Sequence, residues 1–122
     1  MTVEYNFDYH PLFCDEYKKI FKKCPSFADD FKMFKEAINA DLDMFNHILP
    51  KKYKHISRLG SNVDLPVFKF RGLYCKKGDG SKFRFIFILD RAESLIIFVE
   101  LYHKGKKENE DRNRIINCFE NR

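Results

Sequence analysis

The sequence has no tryptophan, few cysteines and no long apolar run. No stretch approaches the ~18 consecutive apolar residues that a membrane-spanning helix needs. The first ten residues have neither the basic start nor the apolar stretch of a secretory signal. The cysteines form no CxxC pair, which argues against a zinc ribbon or a disulfide framework; they are Cys14, Cys24, Cys75 and Cys118. We therefore expect a cytoplasmic protein with reduced thiols and no metal or cofactor.

Phenylalanine and positive charge are what the chain does have. Of its 122 residues 14 are Phe, and 44% are hydrophobic, enough for one aromatic core in a single domain spanning residues 1–122. The formal net charge is +5. Residues 1–66 hold 10 Lys+Arg against 10 Asp+Glu, whereas residues 67–122 hold 13 against 8. A positive excess confined to one half indicates a polyanion or an acidic protein as partner, the alternative being a merely soluble basic surface.

The hydrophobic periodicity predicts the element order β-α-α-β-β-β-α. Alternation of period two indicates strands at residues 3–9, 67–75, 83–90 and 95–103, and helical spacing indicates helices at 12–24, 27–45 and 107–119. Residues 46–66 are read as an irregular connector, and residues 76–81 as a hairpin turn. This order predicts an α+β fold, a small single-layer, twisted, mainly antiparallel sheet with the N-terminal helix pair packed on one face.

Basic residues alternate with phenylalanine on the predicted strands. The pleat should turn the Phe side chains toward the helices and place Lys69, Arg71 and Arg84 together on the opposite, open face. The connector carries a further basic group, Lys51, Lys52 and Lys54. Such lysines are solvated by default, and alternatively follow a phosphate backbone.

The last predicted strand ends in Tyr102, His103 and Lys104. A cation beside an imidazole and a phenol suits phosphate chemistry, because charge must be neutralised while protons are transferred. Since the unperturbed pKa of a histidine is ~6.5, His103 could act as base or acid, the alternative being a structural histidine bonded to a carbonyl. Alternation turns Tyr102 and His103 to opposite faces unless a bulge intervenes.

The helix pair, the strands VFKFR and KFRFIFIL and the ending VELYHKGKKENEDRNRI together resemble the RelE/ParE superfamily of bacterial type II toxins. The resemblance covers roughly residues 2–119. It implies a RelE-like fold and a metal-independent, ribosome-dependent messenger-RNA endonuclease. Such an enzyme cleaves by attack of the ribose 2′-OH on the adjacent phosphate, and a cognate acidic antitoxin inhibits it in a toxin–antitoxin hetero-oligomer.

The resemblance also implies the roles of individual residues. The expected catalytic residues are Arg84, which matches the phosphate-binding strand arginine, with Arg71, Tyr102 and His103. We expect RNA binding by seven lysines: Lys69, Lys104, Lys106, Lys107, Lys51, Lys52 and Lys54. The chain departs from several family nucleases, which carry a catalytic Tyr in the closing helix, where this sequence has Asn109, Arg112 and Arg114. Two alternatives stay open, a ParE-type inhibitor of DNA gyrase and a non-catalytic binding protein of the same fold.

Overall fold

The computed structural model describes residues 4–60, 62–72, 83–105, 107 and 109–120, and it is an α+β fold, as predicted. Its elements in chain order are β1 (Asn6–Tyr9), α1 (Pro11–Lys23), α2 (Phe27–Met44), β2 (Tyr53–Ile56), β3 (Val67–Arg71), β4 (Phe83–Asp90), β5 (Leu95–His103) and α3 (Arg112–Glu120). Lys106, the predicted turn at 76–81 and the strand residues predicted at 3 and 73–75 lie outside the described residues. No helix in the described ranges combines the length and apolar character that a bilayer crossing requires.

The five strands form one mixed sheet in the order β1-β5-β4-β3-β2. β1 runs parallel to β5, and the other neighbours are antiparallel. The prediction that residues 46–66 are irregular is wrong for Tyr53–Ile56, which form the edge strand β2. Four residues are too short for the period-two pattern to stand out between breakers such as Pro50 and Gly60.

The helix pair covers one face of the sheet with aromatic side chains, as predicted. Phe31 of α2 stacks on Phe85 of β4 with ring centroids 5.4 Å apart, and meets Phe98 of β5 edge-on at 5.1 Å. Phe13 of α1 stacks on Phe98 at 5.3 Å. Each buried phenylalanine contributes roughly 1.5–3 kcal/mol through burial, so this face provides most of the apolar driving force.

The second face of the sheet is covered too, although the sequence had suggested an open face. Ile115 of α3 and Leu59 of the connector pack with Ile86, Ile88 and Val99 in a second apolar cluster. Helix α3 begins later than predicted, at Arg112, because the Asp111 carboxylate accepts a hydrogen bond from the Arg114 amide at 3.1 Å and so caps the helix. The central strands are therefore sandwiched between helices on both sides.

An ion pair joins α1, β5 and α3 where β5 extends beyond β1. β1 pairs with Leu95–Phe98, and the register between β4 and β5 shifts at the next residue, Val99. There the Leu101 amide donates to the Glu16 carboxylate at 3.1 Å, and Arg114 donates to the Val99 carbonyl at 3.0 Å. Arg114 also binds Glu16 through both nitrogens of its fork, at 2.8 and 3.1 Å. This bidentate pair satisfies backbone groups that β1 does not reach.

The expectation of four reduced thiols is wrong for Cys24. Cys24, at the end of α1, is disulfide-bonded. Cys14, in the middle of the same helix, is a free thiol.

Glu16→Gln should lower the free energy of unfolding by about 2 kcal/mol, because it leaves the Arg114 guanidinium, 11% exposed, without its carboxylate. Urea denaturation followed by circular dichroism measures this cost. Glu36→Gln on the exposed face of α2 makes the same change in charge and should cost less than about 0.5 kcal/mol. Equal, small costs for both variants would contradict the structural role of the pair.

Candidate functional site

Three of the four predicted catalytic residues form a row across neighbouring strands. Arg71 of β3 lies opposite Arg84 of β4, and Arg84 lies opposite Tyr102 of β5. Alternation places all three on the α3 side of the sheet, because Val67 and Ile86 of the same strands pack there. Arg71 is exposed, whereas Arg84 and Tyr102 are only 7% and 6% exposed. We call Arg71, Arg84 and Tyr102 the outer row.

The electrostatics of the outer row favour the binding of an anion. Burial lowers the pKa of Arg84, and the neighbouring Arg71 cation lowers it further, with Tyr102 acting in the opposite direction. Arg84 donates to the Phe83 carbonyl at 3.1 Å, which fixes part of its guanidinium. Like charges directly opposite each other in a sheet are destabilising. A phosphate placed between the two arginines would remove that repulsion and accept charge-assisted hydrogen bonds from both.

The phenol of Tyr102 is a buried donor. Its hydroxyl has no hydrogen-bond partner among the residues that the structure describes. Burial raises the pKa of Tyr102 to about 12, and Glu110 and Glu100 contribute to the increase, while Arg84 opposes it. The phenol therefore keeps its proton at neutral pH. It can donate a hydrogen bond or a proton to a bound anion, but it is a poor base.

A second row, which we call the inner row, lies two residues further into the sheet. It consists of Lys54, Lys69, Ile86 and Glu100, which lie opposite one another in register. Glu100 is fully buried, and its carboxylate accepts hydrogen bonds from the Lys107 ammonium and, at 2.7 Å, from the Asp111 amide. These contacts hold the chain before α3 against the sheet.

Glu110 completes the charge balance of the inner row. Its carboxylate lies 2.9 Å from the Lys69 ammonium and 3.7 Å from the Arg112 guanidinium. Burial alone would raise the pKa of Glu110, but the hydrogen bond and charge of Lys69, a backbone hydrogen bond and the charge of Arg112 together lower it. Lys69 is thus paired with Glu110, and Lys107 with Glu100. The three residues of the outer row, in contrast, include two cations and no carboxylate.

The sequence analysis missed both glutamates. One signal for Glu100 was present, because it is a lone carboxylate within the apolar strand IIFVELY. A buried charge is costly unless it is paired, so its position in a central strand implies cationic partners. Glu110 carries no comparable signal, since it lies in a run of charged residues.

His103 does not join the outer row. It lies opposite Phe83 in register, and its ring meets the Phe83 ring edge-on at 5.2 Å, on the side of the sheet that faces the helix pair. Its Nδ1 accepts a hydrogen bond from the Gly105 amide at 3.0 Å. Alternation along β5 thus separates the imidazole from Arg84, as expected for adjacent residues of a strand.

The predicted RNA-binding lysines are distributed over several places. Lys69 and Lys54 lie in the inner row, and Lys107 binds Glu100. Lys104 is exposed in the turn after β5. Lys51 and Lys52 precede β2, and Lys52 pairs with Asp41 of α2 at 2.9 Å. The lysines therefore do not form one continuous surface in the described part of the molecule.

Comparison of the chain with known protein families, with curated proteins and with solved structures finds no match. Within the described ranges, no group of three or more His, Cys, Asp and Glu side chains is placed to hold a metal ion.

Tyr102→Phe should raise the free energy of unfolding by about 1 kcal/mol, because it removes a buried hydroxyl that has no hydrogen-bond partner in the described part of the chain. Tyr53→Phe is the matched control, since the Tyr53 hydroxyl donates to Asp41 at 2.7 Å and its removal should cost about 1 kcal/mol. Thermal and urea unfolding of both variants measures the difference. If Tyr102→Phe destabilises as much as Tyr53→Phe, the Tyr102 hydroxyl is satisfied in the folded protein.

Glu110 should contribute to stability only while it is ionised. Because its folded-state pKa lies below its ordinary value of 4.5, the contribution is present above that value and is lost as the pH falls through the folded-state pKa. The difference in unfolding free energy between the wild type and Glu110→Gln should therefore be largest near neutral pH and shrink in acid. A difference that is constant from neutral pH to pH ~3 would show that the Lys69–Glu110 pair does not lower this pKa.

Proposed function

We propose that the outer row binds a phosphodiester of RNA and that the protein is an endoribonuclease toxin of the type II toxin–antitoxin class. The observation that carries the proposal is the alignment of Arg71, Arg84 and Tyr102 in one cross-strand row. Two guanidinium groups beside a protonated phenol supply charge neutralisation and a proton donor at one place. These are two of the requirements for cleavage by an internal 2′-OH.

The chemistry assigns different tasks to the three side chains. Attack of the 2′-OH on phosphorus forms a new P–O bond, releases the 2′-OH proton to solvent water, and breaks the bond to the 5′-oxygen, which takes up a proton. The arginines stabilise the negative charge that develops on the phosphate oxygens. In this proposal Tyr102 donates its proton to the departing 5′-oxygen, because an alkoxide is more basic than a phenolate even with the phenol pKa raised to about 12. The role of His103 as base remains a prediction that its position across the sheet does not favour.

A second candidate is a non-catalytic RNA-binding or gyrase-binding protein of the same class. The placement of His103 favours it, because the outer row then combines cations and a hydrogen-bond donor without an imidazole. Binding alone needs only the cations. Cleavage needs a proton acceptor as well.

The proposed function implies particular binding partners and a cellular compartment. Ribosome-bound messenger RNA in the cytoplasm would be the substrate, and an acidic antitoxin would cover the outer row in a hetero-oligomer. The outer row favours an acidic partner, because its two arginines lie opposite each other on neighbouring strands.

Induced expression, growth curves and mapping of RNA ends test the proposal. Arg71→Ala changes an exposed residue and should lower cleavage by ~10²-fold, the usual effect of losing one transition-state contact. Tyr102→Phe should lower it by ~10²- to 10⁴-fold, as expected for a positioned acid. Lys32→Ala, on the exposed face of α2, removes a positive charge away from the outer row and should leave cleavage unchanged.

The variant His103→Gln tests whether proton transfer uses the outer row alone or also the His103 imidazole. If the outer row acts without the imidazole, this variant should keep its rate and its pH profile. A flattened pH profile with a large loss of rate would instead restore His103 as the base. Growth arrest with intact RNA and altered DNA supercoiling would favour the gyrase inhibitor, and the absence of growth arrest and of any RNA binding would refute the proposed function.

A further inference from the structure

Glu110 lies where an anionic ligand could bind. Its carboxylate contacts Lys69 at 2.9 Å and Arg112 at 3.7 Å, and Lys54 lies opposite Lys69 on the neighbouring edge strand. Two cations, from β3 and α3, thus contact one carboxylate, and a third lies opposite Lys69 on β2. Lysine and arginine bind phosphate through the same charge-assisted hydrogen bonds that they make to a carboxylate.

The distance between the inner row and the outer row matches the distance between consecutive phosphates of a nucleic acid strand. Lys69 and Arg71 are two residues apart on β3, which corresponds to ~6.8 Å along an extended strand. This is comparable to the distance between consecutive phosphates of an extended single strand of nucleic acid. A strand whose phosphate occupies the outer row would therefore bring its next phosphate to Lys69.

Glu110 can leave this position without unfolding its segment. The backbone before α3 is held by its neighbours, because the Asp111 amide and the Lys107 ammonium both bind Glu100. The Asp111 side chain caps α3. The Glu110 side chain is 6% exposed, so its rotation would carry the carboxylate from a buried position into water and uncover Lys69 and Arg112, while the anchors on both sides stay in place.

We propose that Lys69 and Arg112, with Lys54 at the edge, form a second phosphate subsite that the Glu110 carboxylate fills in the ligand-free protein and vacates when nucleic acid binds. This inference rests on the proposed function, in that the outer row holds the neighbouring phosphate. The internal carboxylate weakens binding of any strand, because it must be displaced. It also keeps the Lys69 ammonium paired when no strand is bound.

A non-cleavable ligand isolates this step from catalysis. Binding of a short 2′-O-methyl RNA oligonucleotide at low salt can be followed by fluorescence anisotropy. Glu110→Gln should bind about tenfold more tightly than the wild type, because no carboxylate competes for Lys69. Lys69→Gln added to Glu110→Gln should return the affinity to the wild-type level or below. Glu36→Gln, with the same change in net charge, should alter the affinity by less than about twofold.

Three results have distinct meanings. Unchanged affinity in Glu110→Gln, with binding by the wild type intact, would overturn the subsite and leave the proposed function standing. Tight binding that persists when Lys69→Gln is added would also overturn it, because the gain would then be a long-range charge effect. Failure of the wild type and of all variants to bind would refute the proposed function together with the subsite.

A second variant protects the test against a folding defect. Glu110→Asp keeps the charge but shortens the side chain by one methylene, so it should weaken the contact with Lys69 and give an intermediate affinity. If Glu110→Gln unfolds, this variant decides: an affinity equal to that of the wild type would overturn the subsite.

Discussion

Burial of β4 and β5 on both faces is the constraint on which the rest of the structure depends. Every residue of β4 is buried, and most of β5 is too. One face packs against the phenylalanines of the helix pair and the other against Ile115 of α3 and the connector. A charged side chain within these strands therefore cannot reach water freely, and it must find compensation from its neighbours or from a ligand.

Two of the three buried charged residues in these strands, Glu100 and Arg84, show different solutions. Glu100 is compensated within the protein by Lys107 and the Asp111 amide. Arg84 instead has a second arginine as its cross-strand neighbour. The facing arginine charges oppose stability locally, as functional sites commonly do, and the Tyr102 hydroxyl, which has no hydrogen-bond partner among the described residues, adds to this cost. The inner row, one step away, has its charges matched by two carboxylates.

The sequence predicted most of the sheet because its long strands alternate strongly. The placement of Arg71 and Arg84 on one face follows from pleat and antiparallel pairing. Tyr102 joins them because the register shift at Val99 reverses the alternation of β5, and the sequence left open whether Tyr102 or His103 would face the arginines. The edge strand β2 escaped prediction because four residues carry too little periodicity. The packing of α3 and the connector on the second face of the sheet was not predicted either, because α3 has few apolar residues and the connector has the composition of a loop. Glu110 depends on tertiary packing, so only the folded chain brings it to Lys69.

The parallel pairing of β1 with β5 determines when folding of the sheet can be completed. Asn6 pairs with Leu95, and Glu16 of α1 binds Arg114, 98 residues further along the chain. The first strand thus has its partner only when nearly the whole chain has left the ribosome. Contacts this distant in sequence slow folding and leave apolar surface exposed in the meantime. An incomplete chain would lack β5, and with it Tyr102, so a truncated product of synthesis could not assemble the outer row.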